Sequence, residues 1–247
     1  MDRDQLDQRS VLSVFRAQVS FWARQRRSRD NLVFGFGGRL RRTMDEEWNL
    51  LVLGTGNLKK GEELIDLLSP CRIELATLSQ YPGAPDVEEV GRTFAENAAI
   101  KATEIACALD EWVLGEDSGL AVSALDGRPG IFSARYSGEH TTDQKNNEKL
   151  IQEMESLQDS DRDAYYVCSM AVSDPKGQVV LTAEGVCHGR ITRHPHGDQG
   201  FGYDPFFLIQ EYHQTFAELG LRVKHHLSHR ARAVRQLIPK ITALRGQ

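Results

Sequence analysis

Residues 49–68 read N-L-L-V-L-G-T-G-N-L-K-K-G-E-E-L-I-D-L-L, and the change of rhythm inside them decides the fold class. Leu50 to Leu53 is an unbroken apolar run, the pattern of a short buried strand. From Lys60 the apolar residues return at helical spacing, through Leu64, Leu67 and Leu68. Gly54-Thr55-Gly56-Asn57 supplies the turn between them. The same logic, carried onward, predicts a strand over 72–78 and a loop rich in Pro, Gly and acid over 82–90. A helix follows over 93–109, opened by the Thr93-x-x-Glu96 capping pattern. A strand over 112–114 and a further apolar segment over 120–124 come next, then a helix over 143–157. Strands over 165–172 and 178–188 are joined by the turn sequence Ser173 to Gly177. Last come a strand over 206–209 and a helix over 228–244 kinked or interrupted at Pro239. Strands and helices interleave without strict alternation, so the expectation is an α/β domain on a mixed sheet.

The chain has 247 residues, enough to build a substantial core, and its 40% hydrophobic and 26% charged side chains are those of an ordinary globular protein. No apolar stretch is long enough to cross a bilayer, so no membrane partner is expected. Cys71, Cys107, Cys168 and Cys187 are widely spaced, which argues against a disulfide framework or zinc site and for thiols in a reducing cytoplasm. The net charge of -5 conceals an uneven distribution, since all ten basic residues before Met44 are Arg. Residues 1–47 are therefore expected to be an Arg-rich extension, disordered or dispensable, with Met44 as a sensible alternative start. A nucleic-acid arm and a transit peptide are the competing readings of that head, but its acidic residues speak against a transit peptide and no nucleic-acid partner is expected.

Several stretches could carry chemistry. Thr55-Gly56-Asn57-Leu58-Lys59-Lys60 lies between a strand and a helix N-terminus, where free N–H groups and the helix dipole favour phosphate; a plain turn with solvated lysines fits it as well. Asn97 and Lys101 share one helical face. Glu116 and Asp117 close an apolar run, and strand alternation would send one carboxylate into a cleft while the other supports it or meets a lysine. A surface turn is the alternative there. Gly200-Phe201-Gly202-Tyr203-Asp204-Pro205 offers an aromatic face on which a base could stack, or is a tight turn with core aromatics; Lys224 with Ser228-His229-Arg230 gathers donors at the start of the last helix, where helix capping by Ser228 with exposed basic neighbours is the alternative.

The order of these motifs is more specific than any one of them. Thr-Gly-Asn-x-x-Lys, then Thr93-Phe94-Ala95-Glu96-Asn97-Ala98 with Lys101-Ala102, then Asp117-Ser118-Gly119-Leu120, run on to Gly127-Arg128-Pro129-Gly130-Ile131-Phe132-Ser133-Ala134-Arg135-Tyr136. With Gly200 to Pro205 and Leu227-Ser228-His229-Arg230, the sequence closely resembles the inosine triphosphate pyrophosphatase family from about Leu50 to the C-terminus. The resemblance implies an elongated mixed-sheet domain whose two lobes flank a nucleotide-binding cleft, a homodimer, and a cytoplasmic house-cleaning enzyme. Its reaction would be Mg²⁺-dependent hydrolysis of ITP, dITP and XTP to the monophosphate and pyrophosphate; a nucleotide sensor without hydrolysis on the same fold is the alternative.

By position, the resemblance implies that Thr55, Gly56, Asn57, Leu58, Lys59 and Lys60 hold the triphosphate. It makes Asp117 a Mg²⁺ ligand and the acceptor of the water's proton, with Glu88 or Glu89 as a second ligand. Lys101 would neutralise phosphate or order the carboxylates, and Ser118 would touch the nucleotide. Phe201 would stack on the base, Gly202, Tyr203 and Asp204 complete that wall, and Lys224, His229 and Arg230 reach the base or phosphate. One departure stands out. Where the family usually has Asp-Asp-Ser-Gly, this chain has Glu116-Asp117-Ser118-Gly119.

Overall fold

A computed structural model describes residues 49–246; the expectation for the extension over 1–47 lies outside them. The opening unit is β1 (Leu50–Gly54) followed by α1 (Leu58–Leu68), and Asn57 caps the helix by accepting the Lys60 N–H at 3.2 Å. Next come β2 (Glu74–Thr77) and α2 (Phe94–Leu109). Thr93 accepts the Glu96 N–H as the capping pattern predicts, but the Glu96 carboxylate reaches back to the Arg92 N–H, one residue beyond a closed box.

The long strands are β3 (Val113–Val122), β4 (Asp163–Ser173) and β5 (Val179–Ile191), with β4 between the other two, and α3 (Asp143–Glu153) lies between β3 and β4 in the chain. Short strands β6 (Phe207–Ile209) and β7 (Gln214–Thr215) follow, then α4 (Phe216–Leu227) and α5 (His229–Arg245). The sheet order is β2-β1-β3-β4-β5-β6-β7. β1 is parallel to both β2 and β3, and every later pairing is antiparallel. The mixed α/β fold expected from the sequence is what forms.

Three local expectations are corrected. The strand expected to stop at Leu114 runs on through the acidic pair, because β4 offers a partner at every step, from Val113 opposite Ser173 to Val122 opposite Ala164. The surface-turn reading of Glu116 and Asp117 therefore falls. Pro239 does not interrupt α5, which continues to Arg245. Helix α4 was not legible, because Gly220, at φ 76° and ψ 169°, breaks the helical path inside it.

The core falls into clusters that meet at β3. Leu114 packs with Leu51, Leu53 and Leu64 from β1 and α1 and with Val234 and Leu237 from α5. Leu120 packs with Leu150, Tyr166, Phe207 and Phe216. These two residues share one face of β3, so the interval between the clusters is filled by Glu116 and Ser118. Two glycines set how closely the helices lie on the sheet. A Cβ at Gly115 would run into the Ala98 carbonyl of α2, and one at Gly185 into the His229 carbonyl of α5.

Candidate active site

Alternation along β3 sends its two carboxylates to opposite faces, where they meet different company. Glu116 is 1% exposed and Asp117 4%, and a buried carboxylate without compensation would cost several kcal/mol.

On the face toward α1 and α5, Glu116 meets two cations. Lys60 Nζ lies 3.3 Å from one of its oxygens and Arg230 Nη2 3.0 Å from the other, while the Cys168 thiol donates to it at 3.4 Å. Burial works to raise this carboxyl, but Lys60 and Arg230 outweigh it and hold the group well below the usual carboxylate range. Arg230 also binds Glu63 from α1 and donates to Ser118 Oγ at 3.0 Å. Lys224 carries the row onward, 2.9 Å from Glu63 and 2.7 Å from Asp204. Lys60, Glu116, Arg230, Glu63, Lys224 and Asp204 thus form one row of alternating sign.

On the opposite face, Asp117 accepts from Asn97 Nδ2 at 3.1 Å and lies 3.4 Å from Lys101 Nζ, both on α2. Lys101 is shared, since Glu89 takes its ammonium at 2.9 Å. Burial pushes the Asp117 carboxyl up; Lys101 and Lys60 oppose it, and Glu89 and Glu116 add to it. One ammonium divided between two anions gains more from them than either gains from it. The Lys101 ammonium accordingly sits above its ordinary value despite burial. Asn97 is fully buried and accepts the Gly91 N–H at 2.8 Å, fixing the acidic loop beside Asp117. Of the two loop acids, Glu89 faces Lys101 and Arg135, at 2.9 and 3.5 Å, whereas Glu88 is exposed.

The remaining predicted residues distribute as follows. Thr55 accepts the Asn57 N–H at 3.2 Å, and Gly56, Leu58 and Lys59 are exposed around the N-terminus of α1. Phe201 has Lys224 Nζ 4.2 Å from its ring centre on the buried row and Lys59 Nζ at 5.6 Å. Asp204 accepts the Phe201 N–H at 2.9 Å, and burial raises its carboxyl even against Lys224. Tyr203 is a core residue whose hydroxyl donates to the Ser133 carbonyl at 2.8 Å. His229 stacks on Tyr166 with ring centres 4.6 Å apart. Burial first, then Arg230 and Lys224, hold its imidazole neutral. Two groups therefore gather: Asp117, Lys101 and Glu89 on one side of β3, and the charged row ending at Phe201 on the other.

Sequence reasoning missed Glu63, although its signal was there, a carboxylate beside Leu64 within the apolar stripe of α1. It also missed Asp143 and Asn147 on α3, which bond Gly202; the helical pattern alone gave no reason to choose them. A cavity of about 910 Å³ is bordered by α3, Lys59 and the loop from Arg193 to Phe206, and none of Asp117, Glu116 or Arg230 lines it.

A model described as the Ham1 family matches residues 51–240. A dITP/XTP pyrophosphatase of Rhodopirellula baltica is 53% identical over 194 residues, covering 78% of this chain and 93% of the relative. One from Synechocystis is 44% identical over 188 residues, covering 76% and 93%. Among solved structures, a HAM1 protein from Coxiella burnetii is 38% identical with a TM-score of 0.72, and the Staphylococcus aureus Ham1 protein is 35% identical with a TM-score of 0.70. Each covers 78% of this chain and 98% of its own.

Proposed function

The chain belongs to the Ham1 family, and we propose that it hydrolyses the triphosphates of deaminated purines, dITP, ITP and XTP, to the nucleoside monophosphate and pyrophosphate. One water is consumed, one phosphoanhydride P–O bond breaks, and the water's proton passes to Asp117. The observation that carries this reading is the split of the acidic pair. Glu116 is enclosed by Lys60 and Arg230 on one face of β3, while Asp117 on the other lies beside Glu89 with one shared ammonium, so Asp117 is the carboxylate left to meet water and substrate.

The other roles follow from placement. Lys60 and the N-terminus of α1 face the phosphates, and positioning with charge neutralisation supplies most of the rate in such reactions. Phe201 offers its ring to the base. Selectivity for a 6-oxo purine rests on donors aimed at that oxygen, because an adenine amino group would set donor against donor and leave buried groups unpaired.

Magnesium belongs to the same proposal. Asp117 and Glu89 converge on one ammonium, and two hard carboxylates together with substrate phosphates are the donors Mg²⁺ takes. When bound there, it would neutralise phosphate oxygens. A homodimer and a cytoplasmic location complete the reading and rest on the family resemblance. Among the described residues, no helix is long and apolar enough to cross a membrane.

Pyrophosphate release measured across dITP, XTP, ITP, GTP and ATP, with and without Mg²⁺, tests the proposal. Preference for the first three with pyrophosphate as product is expected. Equal rates on all five, or release of orthophosphate instead, would sink it.

A further inference from the structure

The loop that carries Phe201 is held from two directions. From the buried side, Asp204 accepts the Phe201 N–H and is itself fixed by Lys224. From the outer side, α3 grips the next residue by both ends of its backbone. The Gly202 N–H donates to Asp143 Oδ2 at 2.8 Å, and the Gly202 carbonyl accepts from Asn147 Nδ2 at 2.9 Å.

Asp143 and Asn147 are four residues apart, so they sit one above the other on α3 and present an acceptor and a donor together. Gly202 has φ +62°, in the left-handed region, where glycine alone sits without strain. Its peptide groups are thereby turned to meet both side chains. Helix α3 is itself anchored: Asn146 accepts the Ser137 N–H at 2.8 Å and donates to the Ala134 carbonyl at 3.1 Å. Asp143 also lies 3.9 Å from Lys59, on the phosphate side of the site.

We propose that Asp143 and Asn147 are positioning residues that fix the Phe201 ring at the height where it receives the nucleobase. They touch no reacting atom. Their effect should therefore appear in base binding and not in the chemical step. The proposal rests on Phe201 being the base-stacking residue of the reading above.

Losing one hydrogen bond to a mostly buried donor is expected to raise KM for dITP about tenfold in Asn147→Ala, with kcat within about twofold of the parent. Asp143→Ala should show a smaller rise, about threefold, because its bond is exposed. Asp143→Asn keeps an oxygen that accepts the Gly202 N–H but loses the charge toward Lys59. Restoration of KM by Asp143→Asn is expected, and failure to restore would assign the effect to Lys59 and overturn the clamp.

A second measurement is independent of turnover. Amide hydrogen exchange over residues 199–206 without nucleotide should be faster in Asn147→Ala and Asp143→Ala, while exchange in β3 and β4 stays unchanged. Unchanged exchange over 199–206 overturns the clamp even if the parent protein hydrolyses none of the triphosphates, an outcome that would remove the functional reading separately. Faster exchange with unaltered KM, or a fall confined to kcat, overturns the positioning role. If Asn147→Ala fails to fold, the Asp143→Ala and Asp143→Asn pair decides alone.

Discussion

The two faces of β3 carry neighbouring carboxylates with opposite fates. Glu116 looks toward α1 and α5 and is enclosed by cations that hold it ionised. Asp117 looks toward α2, shares one ammonium with Glu89, and has its carboxyl raised. Both are buried, so burial does not separate them. The number of cations per anion does. Adjacent residues of one strand thus meet different electrostatic company, and strand alternation alone keeps the two environments apart.

The largest test of this division is Asp117→Asn, which should lower kcat by about a thousandfold. Its unfolding free energy should stay close to the parent's, and near-normal turnover in steady-state kinetics would dissolve the comparison. Glu116→Gln should do the reverse. It leaves Lys60 and Arg230 facing an uncharged amide, and denaturant unfolding should register a loss of about 3 kcal/mol. A variant that kept its stability but lost all turnover would mean the roles had been exchanged.

The row behind Glu116 can be probed through Glu63. Burial raises this carboxyl, yet Arg230 and Lys224 outweigh it and leave it below its ordinary value. A depressed carboxyl stabilises the fold above its unfolded pKa, and that contribution is lost as pH falls through the lower folded value. Glu63→Gln should therefore be less stable than the parent by about 2 kcal/mol at pH 7. The gap should close in acid unfolding measured below about pH 4; a constant gap would show that Glu63 contributes shape and not charge. Smallest of all should be Glu116→Asp, which keeps the charge and gives up one methylene. A change of less than about 1 kcal/mol in stability, with turnover within a few-fold, is expected. A large loss would show that the longer side chain is needed to span Lys60 and Arg230.

The sequence made some of this legible for clear reasons. The apolar run at Leu50 to Leu53, the turn and the helical spacing after Lys60 are local signals, and the fold follows them. The acidic pair was legible as a pair, and alternation foretold that its members would part. Which cations each would meet was not, because Arg230 and Lys60 arrive from opposite ends of the chain. Glu63 was hidden by being charged in an apolar stripe, a position whose meaning depends on Arg230 and Lys224. Helix α4 was hidden by Gly220, and the long course of β3 by the charges themselves, which look like a strand's end until β4 is seen beside them.

The glycine notches at Gly115 and Gly185 have a consequence for how such a site endures. Helices α2 and α5, which bring Asn97, Lys101, His229 and Arg230, rest on the sheet by main chain against main chain. Their depth is therefore set by atoms that substitution does not alter. The seats of the two helices depend on Gly115 and Gly185 carrying no Cβ, and the site inherits its accuracy from those backbone contacts.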